Sequence, residues 1–219
     1  MRTAALQKPR VILAGAFADR LLTTIEPGFA IQRLGDRFGN ELIDLEKIDF
    51  TNVAFAIFFG YGHRIAEHFL NKTVFINLHG SLLPWGRGPH PHIWNWINGD
   101  PHGVTIHKMS AEIDKGPIIV QRKLELEPHE HSINSTLSAL ADSATELFRE
   151  NWIDIAEGTF ALKTTHASGS RHSLKDTRKI QDLVKRFFHA PVPIFLQQVR
   201  TRMSRLAASQ DSRDRMLAC

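Results

Sequence analysis

An asparagine and a histidine stand two residues apart at the end of the apolar run Val74–His79 (VFINLH). Residues two apart in a β-strand point to the same side of the sheet, so we expect the side chains of Asn77 and His79 to lie together. An amide can donate a hydrogen bond to a developing oxyanion, and an imidazole can exchange a proton near neutral pH. A carboxylate in a later loop, Asp114, could orient the imidazole. The pair is a candidate for acid–base chemistry, although an ordinary strand-end turn could also contain these two residues.

Four histidines in the same part of the chain raise a different chemistry, that of a metal site. They are His79, His90, His92 and His107. A zinc site normally adds cysteine or carboxylate ligands at a defined spacing, and no such ligand accompanies His90 and His92. The sequence contains no HExxH motif, and its single cysteine is the last residue, Cys219. We therefore expect no metal.

The elements that must position these side chains alternate between strand and helix. Apolar runs predict strands at residues 10–16, 29–34, 53–59, 74–78, 103–109 and 118–126. Amphipathic spacing predicts helices at 133–155 and 175–188. This alternation indicates an α/β fold with a Rossmann-like, mostly parallel sheet. Such sheets bind ligands beyond the carboxyl ends of their strands, where Asn77 and His79 are expected. No glycine-rich phosphate-binding motif follows the first strand, so no dinucleotide is indicated.

The composition excludes several classes of protein. The chain has 219 residues, of which 42% are hydrophobic and 23% charged, as is typical of a folded domain. One cysteine cannot form a disulfide framework, and neither a signal peptide nor a run of about 18 apolar residues is visible. The net charge is +4, and the basic stretches at 171–186 and 200–215 are typical of solvated helix faces. We expect a cytoplasmic protein that binds neither membrane nor nucleic acid.

Three groups of motifs in the centre of the chain match one known family in order and spacing. They are Asn77–Pro84 (NLHGSLLP) with Arg87-Gly88, then Gly103–His107 (GVTIH), then Ile113–Ile119 (IDKGPII). Over residues 55–121 the chain resembles the folate-dependent formyltransferases. That family includes phosphoribosylglycinamide formyltransferase and methionyl-tRNA formyltransferase. The resemblance implies the formyltransferase fold with a small C-terminal extension.

The resemblance also implies a reaction, in which N10-formyltetrahydrofolate gives its formyl group to an amine. The family's Asn–His–Asp catalytic set falls on Asn77, His79 and Asp114. By this hypothesis Asn77 donates to the oxyanion. His79 accepts the ammonium proton or acts as an imidazolium. Asp114 supports His79 and lies near the N10 leaving group.

Two further stretches resemble the sugar-nucleotide N-formyltransferases within that family, Phe59–Ile65 (FGYGHRI) and Leu83–Trp94 (LPWGRGPHPHIW). The implied substrate is an amino sugar attached to a nucleoside diphosphate. Residues 169–176 faintly resemble part of the nucleotide site in that group, with Arg171 or His172 in place of the usual aromatic residue. Two alternatives stay open: formyl transfer to another amine, such as glycinamide ribotide or a methionyl-tRNA-like substrate, and a catalytically silent nucleotide- or RNA-binding relative.

The resemblance assigns two sets of binding residues. Contacts to the folate, mainly through backbone groups, are expected from Tyr61, Gly62, His63, Arg64, Ile65 and Lys115. Contacts to the substrate are expected from Trp85, Arg87, Trp94, Arg171 and His172. Within the second set Arg87 could form a bidentate pair with a phosphate. For Trp94 and Trp96, packing in the core is an equal alternative.

The chain is expected to divide into three parts. Residues 1–160 would form the formyltransferase catalytic domain, and residues 161–204 a C-terminal subdomain with the nucleotide site and dimer contacts. Residues 205–219 would be a disordered tail. A homodimer is implied by the resemblance alone. Two departures from the family pattern are the loop before Asp114, which reads Ser-Ala-Glu-Ile, and a short region before Asn77.

Overall fold

The computed structural model describes residues 8–165 and 168–217, with side chains up to residue 208. Six strands form one sheet, and their bounds are β1 Arg10–Ala14, β2 Ala30–Leu34, β3 Val53–Phe59, β4 Val74–His79, β5 His102–Lys108 and β6 Ile118–Leu124. The helices are α1 Leu22–Ile25, α2 Pro91–Asn98, α3 Ile133–Glu157, α4 Leu174–Arg178, α5 Gln181–Phe187 and α6 Val192–Leu217. Short 3₁₀ turns occupy Ala18–Leu21, Leu45–Lys47 and Glu67–Phe69.

The sheet is parallel on one side and antiparallel on the other. Its strand order is β2-β1-β3-β4-β5-β6. The first four strands pair in parallel, whereas β5 runs antiparallel to both β4 and β6. The prediction of an α/β fold with a mostly parallel sheet is confirmed. The antiparallel pair has a direct consequence for the site, because it places the end of β5 beside Asn77.

Apolar side chains fill both faces of the sheet. Helix α3 covers one face, where Leu140, Leu147 and Phe148 pack against side chains of β1, β3, β4 and β5. The spacing of these side chains explains the helix, since residues three and four apart share one face. The opposite face is covered by loops and 3₁₀ turns, with Phe58 and Phe75 stacked at its centre. The sheet is therefore held rigid from both sides, which fixes the carboxyl ends of its strands.

A second apolar cluster joins the C-terminal helices to the body of the chain. Ile93 on α2 and Ile133 on α3 share this cluster with Leu183 on α5 and Phe195 on α6. Residues from both sides of position 160 therefore pack in one cluster, and the division at 160 stays a prediction.

The C-terminal region differs from its prediction in two respects. The helix predicted at 175–188 is two helices, α4 and α5, joined at Lys179 and Ile180. The last part of the chain, predicted to be a disordered tail from Arg205, continues helix α6 as far as Leu217. No glycine or proline follows Pro193, so nothing in that stretch breaks the helix locally. No helix in the described ranges is both long and apolar enough to cross a membrane.

Candidate active site

The end of β4 brings the three predicted catalytic side chains together. Asn77 Nδ2 lies 3.4 Å from Asp114 Oδ1, and His79 Nδ1 lies 3.8 Å from Asp114 Oδ2. Asn77 and His79 share a side of the strand, as their spacing requires. Asp114 comes from the loop between β5 and β6. The carboxylate thus faces both the amide and the imidazole.

The backbone around Asp114 is held in an unusual conformation. Asp114 has a φ of 53°, in the left-handed region that few non-glycine residues adopt. Two residues later, a Cβ on Gly116 would lie 1.7 Å from Lys108 O, so only glycine fits there. The loop therefore packs tightly onto the end of β5. This contact directs the Asp114 side chain towards β4.

Asp114 is an ionised, acceptor-only group. Burial raises the pKa of this carboxyl, but nearby His79 and His107 and the Gly88 N–H outweigh it and hold the pKa well below its ordinary value. The Gly88 N–H donates to Asp114 Oδ2 at 2.8 Å. The carboxylate therefore offers a fixed negative charge to the groups around it.

His79 has an acceptor beside each of its ring nitrogens. Nε2 lies 2.9 Å from Gly86 O, and a carbonyl oxygen can only accept, so Nε2 carries a hydrogen. Nδ1 faces the Asp114 carboxylate, which also only accepts. At 3.8 Å the contact between Nδ1 and the carboxylate is longer than a hydrogen bond. A neutral ring with its hydrogen on Nε2 therefore satisfies the hydrogen bond to Gly86 and leaves a lone pair on Nδ1.

A fourth polar side chain, His107, belongs to the same cluster and had no role in the catalytic set inferred from the sequence. Its Nε2 lies 3.2 Å from Asn77 Nδ2 and 3.6 Å from Asp114 Oδ1. The signal that could have indicated it is the antiparallel register of β4 and β5, which pairs Asn77 with His107. That register becomes visible only once the direction of β5 is known.

The loop after β4 is held by buried hydrogen bonds. The Thr105 hydroxyl donates to Ser81 O at 2.7 Å and accepts from the Leu83 N–H at 3.1 Å. The Asn95 amide donates to Ser81 Oγ at 2.9 Å, and Ser81 Oγ donates to Trp85 O at 2.7 Å. These bonds fix the path of residues 81–86 and hence the position of the Gly86 carbonyl at His79.

The predicted substrate residues lie along this loop and along a strand-like segment from the C-terminal part. The Arg87 N–H donates to Ser170 O at 3.1 Å, and the His172 N–H donates to Arg87 O at 3.0 Å. These two bonds make an isolated parallel bridge between Arg87 and Arg171, and Arg171 is exposed. Trp85, two residues before Arg87, is 36% exposed. The backbone pairing therefore joins segments that are far apart in the sequence.

Trp94 and Trp96 lie on α2, and both side chains are buried. The Trp94 indole donates to Thr177 Oγ1 at 3.2 Å, and the Trp96 indole donates to Thr136 Oγ1 at 3.0 Å. The ring of His172 is stacked on Trp94, with centroids 3.9 Å apart and planes at 3°. Trp94 is thus a core residue, which is one of the two alternatives predicted for it. One face of its ring packs against His172, a predicted substrate residue.

Arg87 is the predicted substrate residue with unused hydrogen-bonding capacity. Its Nη2 donates to Ser168 O at 2.5 Å. Its Nε is buried and finds no hydrogen-bond partner among the described residues. A buried guanidinium N–H without a partner is costly, and an anionic ligand would satisfy it.

The predicted folate residues at 61–65 follow the carboxyl end of β3 and contact an earlier loop. The Tyr61 hydroxyl accepts from the Ile43 N–H at 3.0 Å, and His63 Nε2 lies 2.6 Å from Asn40 O. The Gly62 N–H donates to Gly39 O at 3.1 Å. The Ile65 side chain is buried in the core, so that residue can offer a ligand only its backbone. Residues 61–65 thus bind the segment around residues 39–43 to the sheet.

Two cations frame the loop that carries Asp114. Arg64 is exposed and donates through Nη2 to Ala111 O at 2.5 Å. Lys115 is exposed and forms an ion pair with Glu112. Because Glu112 is anionic, these three side chains together carry one net positive charge.

The histidines considered for a metal site fall into two pairs, His79 with His107 and His90 with His92. No group of three or more histidine, cysteine, aspartate or glutamate side chains within residues 8–165 and 168–208 is arranged to hold a metal ion. His92 is buried in α2, where burial, followed by the neighbouring His90, lowers its pKa to about 3. His92 is therefore a neutral core residue.

Solved structures of formyltransferases are similar to this chain. The formyltransferase PseJ from Anoxybacillus kamchatkensis, solved with UDP-4,6-dideoxy-4-formamido-L-AltNAc and tetrahydrofolate, is 29% identical with a TM-score of 0.74. The match covers 85% of this chain and 97% of that one. The N-formyltransferase of Helicobacter canadensis, solved with folinic acid and dTDP-3-aminofucose, has a TM-score of 0.61 over 78% of this chain and 72% of its own. At 19% identity this second likeness concerns the fold alone.

Sequence comparison gives a similar result over a shorter stretch. The dTDP-4-amino-4,6-dideoxyglucose formyltransferase of Mycobacterium tuberculosis is 32% identical over 108 residues, 49% of this chain and 46% of the relative. The match thus spans about half the length of the curated relatives. The formyl transferase family pattern matches residues 35–151, more than half of the chain and the whole of the Asn77–His79–Asp114 cluster. The chain belongs to the formyl transferase family.

Proposed function

We propose that this protein transfers a formyl group from N10-formyltetrahydrofolate to the amine of an amino sugar carried by a nucleoside diphosphate. The observation that carries the proposal is the convergence of Asn77, His79 and Asp114 at the carboxyl end of β4. Formyl transfer to an amine needs a donor for the developing oxyanion and a group that manages a proton. The cluster contains both.

The cluster assigns a task to each side chain. The Asn77 amide donates to the oxygen that becomes negative when the amine attacks. His79 accepts at Nδ1 the proton that the attacking amine loses and gives it to the leaving N10 nitrogen, while its Nε2 hydrogen stays bonded to Gly86 O. Asp114 stabilises by its charge the imidazolium that forms when His79 takes this proton, and it also accepts from Asn77. Of the two roles inferred for His79 from the resemblance, the hydrogen bond that holds Nε2 and leaves Nδ1 free to accept favours acceptance of the ammonium proton.

The folate side of the site fits the proposed donor. When bound, N10-formyltetrahydrofolate supplies the formyl group and a leaving nitrogen. Its glutamate tail is anionic, and the exposed Arg64 and Lys115 place two cations beside the loop of Asp114. Residues 61–65 add backbone groups at the same edge. These residues would hold the donor next to Asn77.

The opposite side of the site suits a nucleoside diphosphate. The buried, unpartnered Nε of Arg87 and the exposed Arg171 offer charge-assisted hydrogen bonds to phosphate oxygens. Trp85 and His172 add flat surfaces for a sugar or base. PseJ was solved with a UDP-linked 4-formamido sugar. The mycobacterial relative is named for a dTDP-linked 4-amino sugar. A 4-amino-4,6-dideoxyhexose linked to UDP or dTDP is therefore the first substrate to test.

The proposal includes a homodimer. Helix α6 carries the exposed apolar side chains Ile194 and Met203, each 45% accessible in the single chain. A second copy would remove such surface from water. Light scattering on the purified protein measures the mass directly, and a monomer at micromolar concentration would remove this part of the proposal.

The test of activity combines binding with product analysis. We expect calorimetry to detect binding of 5-formyltetrahydrofolate, a stable analogue of the donor, and of either UDP or dTDP. We expect mass spectrometry to find the formamido product when N10-formyltetrahydrofolate and the matching amino-sugar nucleotide are supplied. Folate binding with formylation of glycinamide ribotide alone would assign the enzyme to another amine. Absence of folate binding would contradict formyl transfer altogether.

A further inference from the structure

We propose that His107 is a positioning residue that orients the Asn77 amide for the reaction, an inference that rests on the proposed function. His107 lies on β5 directly opposite Asn77 in the antiparallel register. Its side chain is 2% exposed, so it is shielded from solvent. Its role must come from the groups it contacts inside the protein.

The tautomer of His107 follows from its contact with the backbone. Nδ1 lies 2.9 Å from Lys108 O. A carbonyl oxygen only accepts, so Nδ1 carries the hydrogen, and in the neutral ring Nε2 is left with a lone pair. The neighbouring backbone thus makes Nε2 an acceptor.

This acceptor determines which way the Asn77 amide faces. Nε2 lies 3.2 Å from Asn77 Nδ2, and Asp114 Oδ1 lies 3.4 Å from the same nitrogen. If the amide were flipped, its oxygen would face the lone pair of His107 Nε2 and the Asp114 carboxylate, and both of these repel an oxygen. His107 and Asp114 together therefore require the NH₂ end of Asn77 to point into the cluster.

The two contacts differ in what they leave for the substrate. The shorter one, to His107, anchors the amide. The longer one, to Asp114, involves the hydrogen that is more easily released to the formyl oxygen. Without His107 the amide would keep one partner instead of two, and its donor would be less well directed when the oxyanion develops.

The kinetic test uses two variants that differ in one acceptor. His107→Leu removes the ring nitrogens, whereas His107→Gln keeps an oxygen near the position of Nε2. We expect His107→Leu to lower kcat by about tenfold to a hundredfold, less than the loss of an oxyanion donor itself. KM for both substrates should stay within about twofold of the parent value, because the contacts that bind the substrates before the reaction are unaffected. His107→Gln should recover most of kcat. If His107→Leu and His107→Gln lost the same amount of kcat while equally well folded, the proposal would be overturned.

A double-mutant cycle separates positioning from general packing. If His107 acts through Asn77, His107→Leu should cost little further kcat in an Asn77→Ala background. A loss in that background as large as in the parent would show that His107 acts independently of Asn77, contrary to the proposal. Circular dichroism on each variant confirms that the compared proteins are folded.

One measurement does not depend on the substrate or on the reaction. The ¹⁵N chemical shifts of the histidine rings distinguish a protonated nitrogen from a bare one. We expect His107 in the protein without substitutions to have Nδ1 protonated and Nε2 bare. We also expect the Asn77 side-chain NH₂ signals to move in His107→Leu and to return in His107→Gln. A protonated Nε2 would overturn the positioning role, even if formyl transfer is confirmed. The predicted shifts without any formyl transfer would instead contradict the proposed function alone.

Discussion

The two sides of the candidate site are built in different ways. The proposed catalytic cluster of Asn77, His79, His107 and Asp114 comes from two adjacent strands and one tight loop. Its two histidines and Asp114 have side-chain exposures of 8%, 2% and 10%. The substrate side depends on contacts between the loop at 84–88 and the segment at 168–172, about 80 positions later in the chain. Arg171 and Trp85 on that side are exposed. The sheet thus holds the proposed catalytic groups, while two loops that hydrogen-bond to each other hold the proposed substrate residues.

This difference predicts where a substitution acts. Changes in the cluster should lower turnover without altering substrate binding, because the groups act on charge that develops in the transition state. Changes on the substrate side should mainly alter KM. Two contacts join the sides: Gly86 bonds to both His79 and Ser170, and the Gly88 N–H donates to Asp114.

The largest effect is expected in the cluster. We expect His79→Ala and Asn77→Ala each to lower kcat by about 10²–10³-fold, the usual range for a lost acid–base or oxyanion group. KM for the amino-sugar nucleotide should change little. Steady-state kinetics measure both values. A matched control is His68→Ala, which removes an exposed histidine paired with Glu46 and should leave kcat unchanged. Turnover within tenfold of the parent in either cluster variant would remove that residue's catalytic assignment.

Most of the cluster could be predicted from the sequence, because its information is local. The alternation of a strand gives Asn77 and His79 a common side, and the motif around Asp114 supplies the carboxylate. His107 was harder to place. The motif contains it, but its contact with Asn77 depends on a register between strands, which pattern reasoning does not reveal. Sequence reasoning considered the same histidine as a metal ligand.

The substrate side was less predictable for a physical reason. The stacking of His172 on Trp94 and the bridge from Arg87 to the later segment join residues some 80 positions apart. Such contacts follow from how the C-terminal helices pack against α2, and no local pattern of apolar and polar residues predicts them. For Trp94, the sequence allows either a core role or a substrate role. In the structure its ring is buried in the core and stacked against His172.

The second prediction tests the contacts that join the two sides. Ser170 Oγ accepts from the Gly86 N–H at 2.7 Å and donates to Asp100 Oδ2 at 2.5 Å. The carbonyl of the same Gly86 accepts from His79 Nε2. We expect Ser170→Ala to lower kcat about threefold to tenfold, because a hydrogen bond contributes roughly 0.5–1.5 kcal/mol. We also expect it to raise KM for the nucleotide.

The control for this variant is another serine outside the site. Ser204→Ala removes an exposed hydroxyl that bonds only within α6, and its kinetics should match those of the parent. A change in KM alone for Ser170→Ala would show that the substrate side can shift without disturbing His79. The two sides would then be more independent than the hydrogen bonds indicate.

The smallest effect is expected at the far end of the substrate side. The His172 ring is supported by Trp94 at 3.9 Å and by Asn98, whose Nδ2 lies 2.9 Å from His172 Nε2. We expect His172→Ala to raise KM for the amino-sugar nucleotide about twofold to fivefold, since an aromatic pair contributes roughly 0.5–1.5 kcal/mol and this ring is partly exposed. His172→Phe should restore most of the binding, because it keeps a flat ring on Trp94. Neither variant should alter kcat by more than about twofold, because the ring lies on the recognition side and touches no member of the cluster. A fall in kcat comparable to that of Ser170→Ala would show that the stack holds the loop at His79 as well as the substrate. Recognition and chemistry would then share one framework.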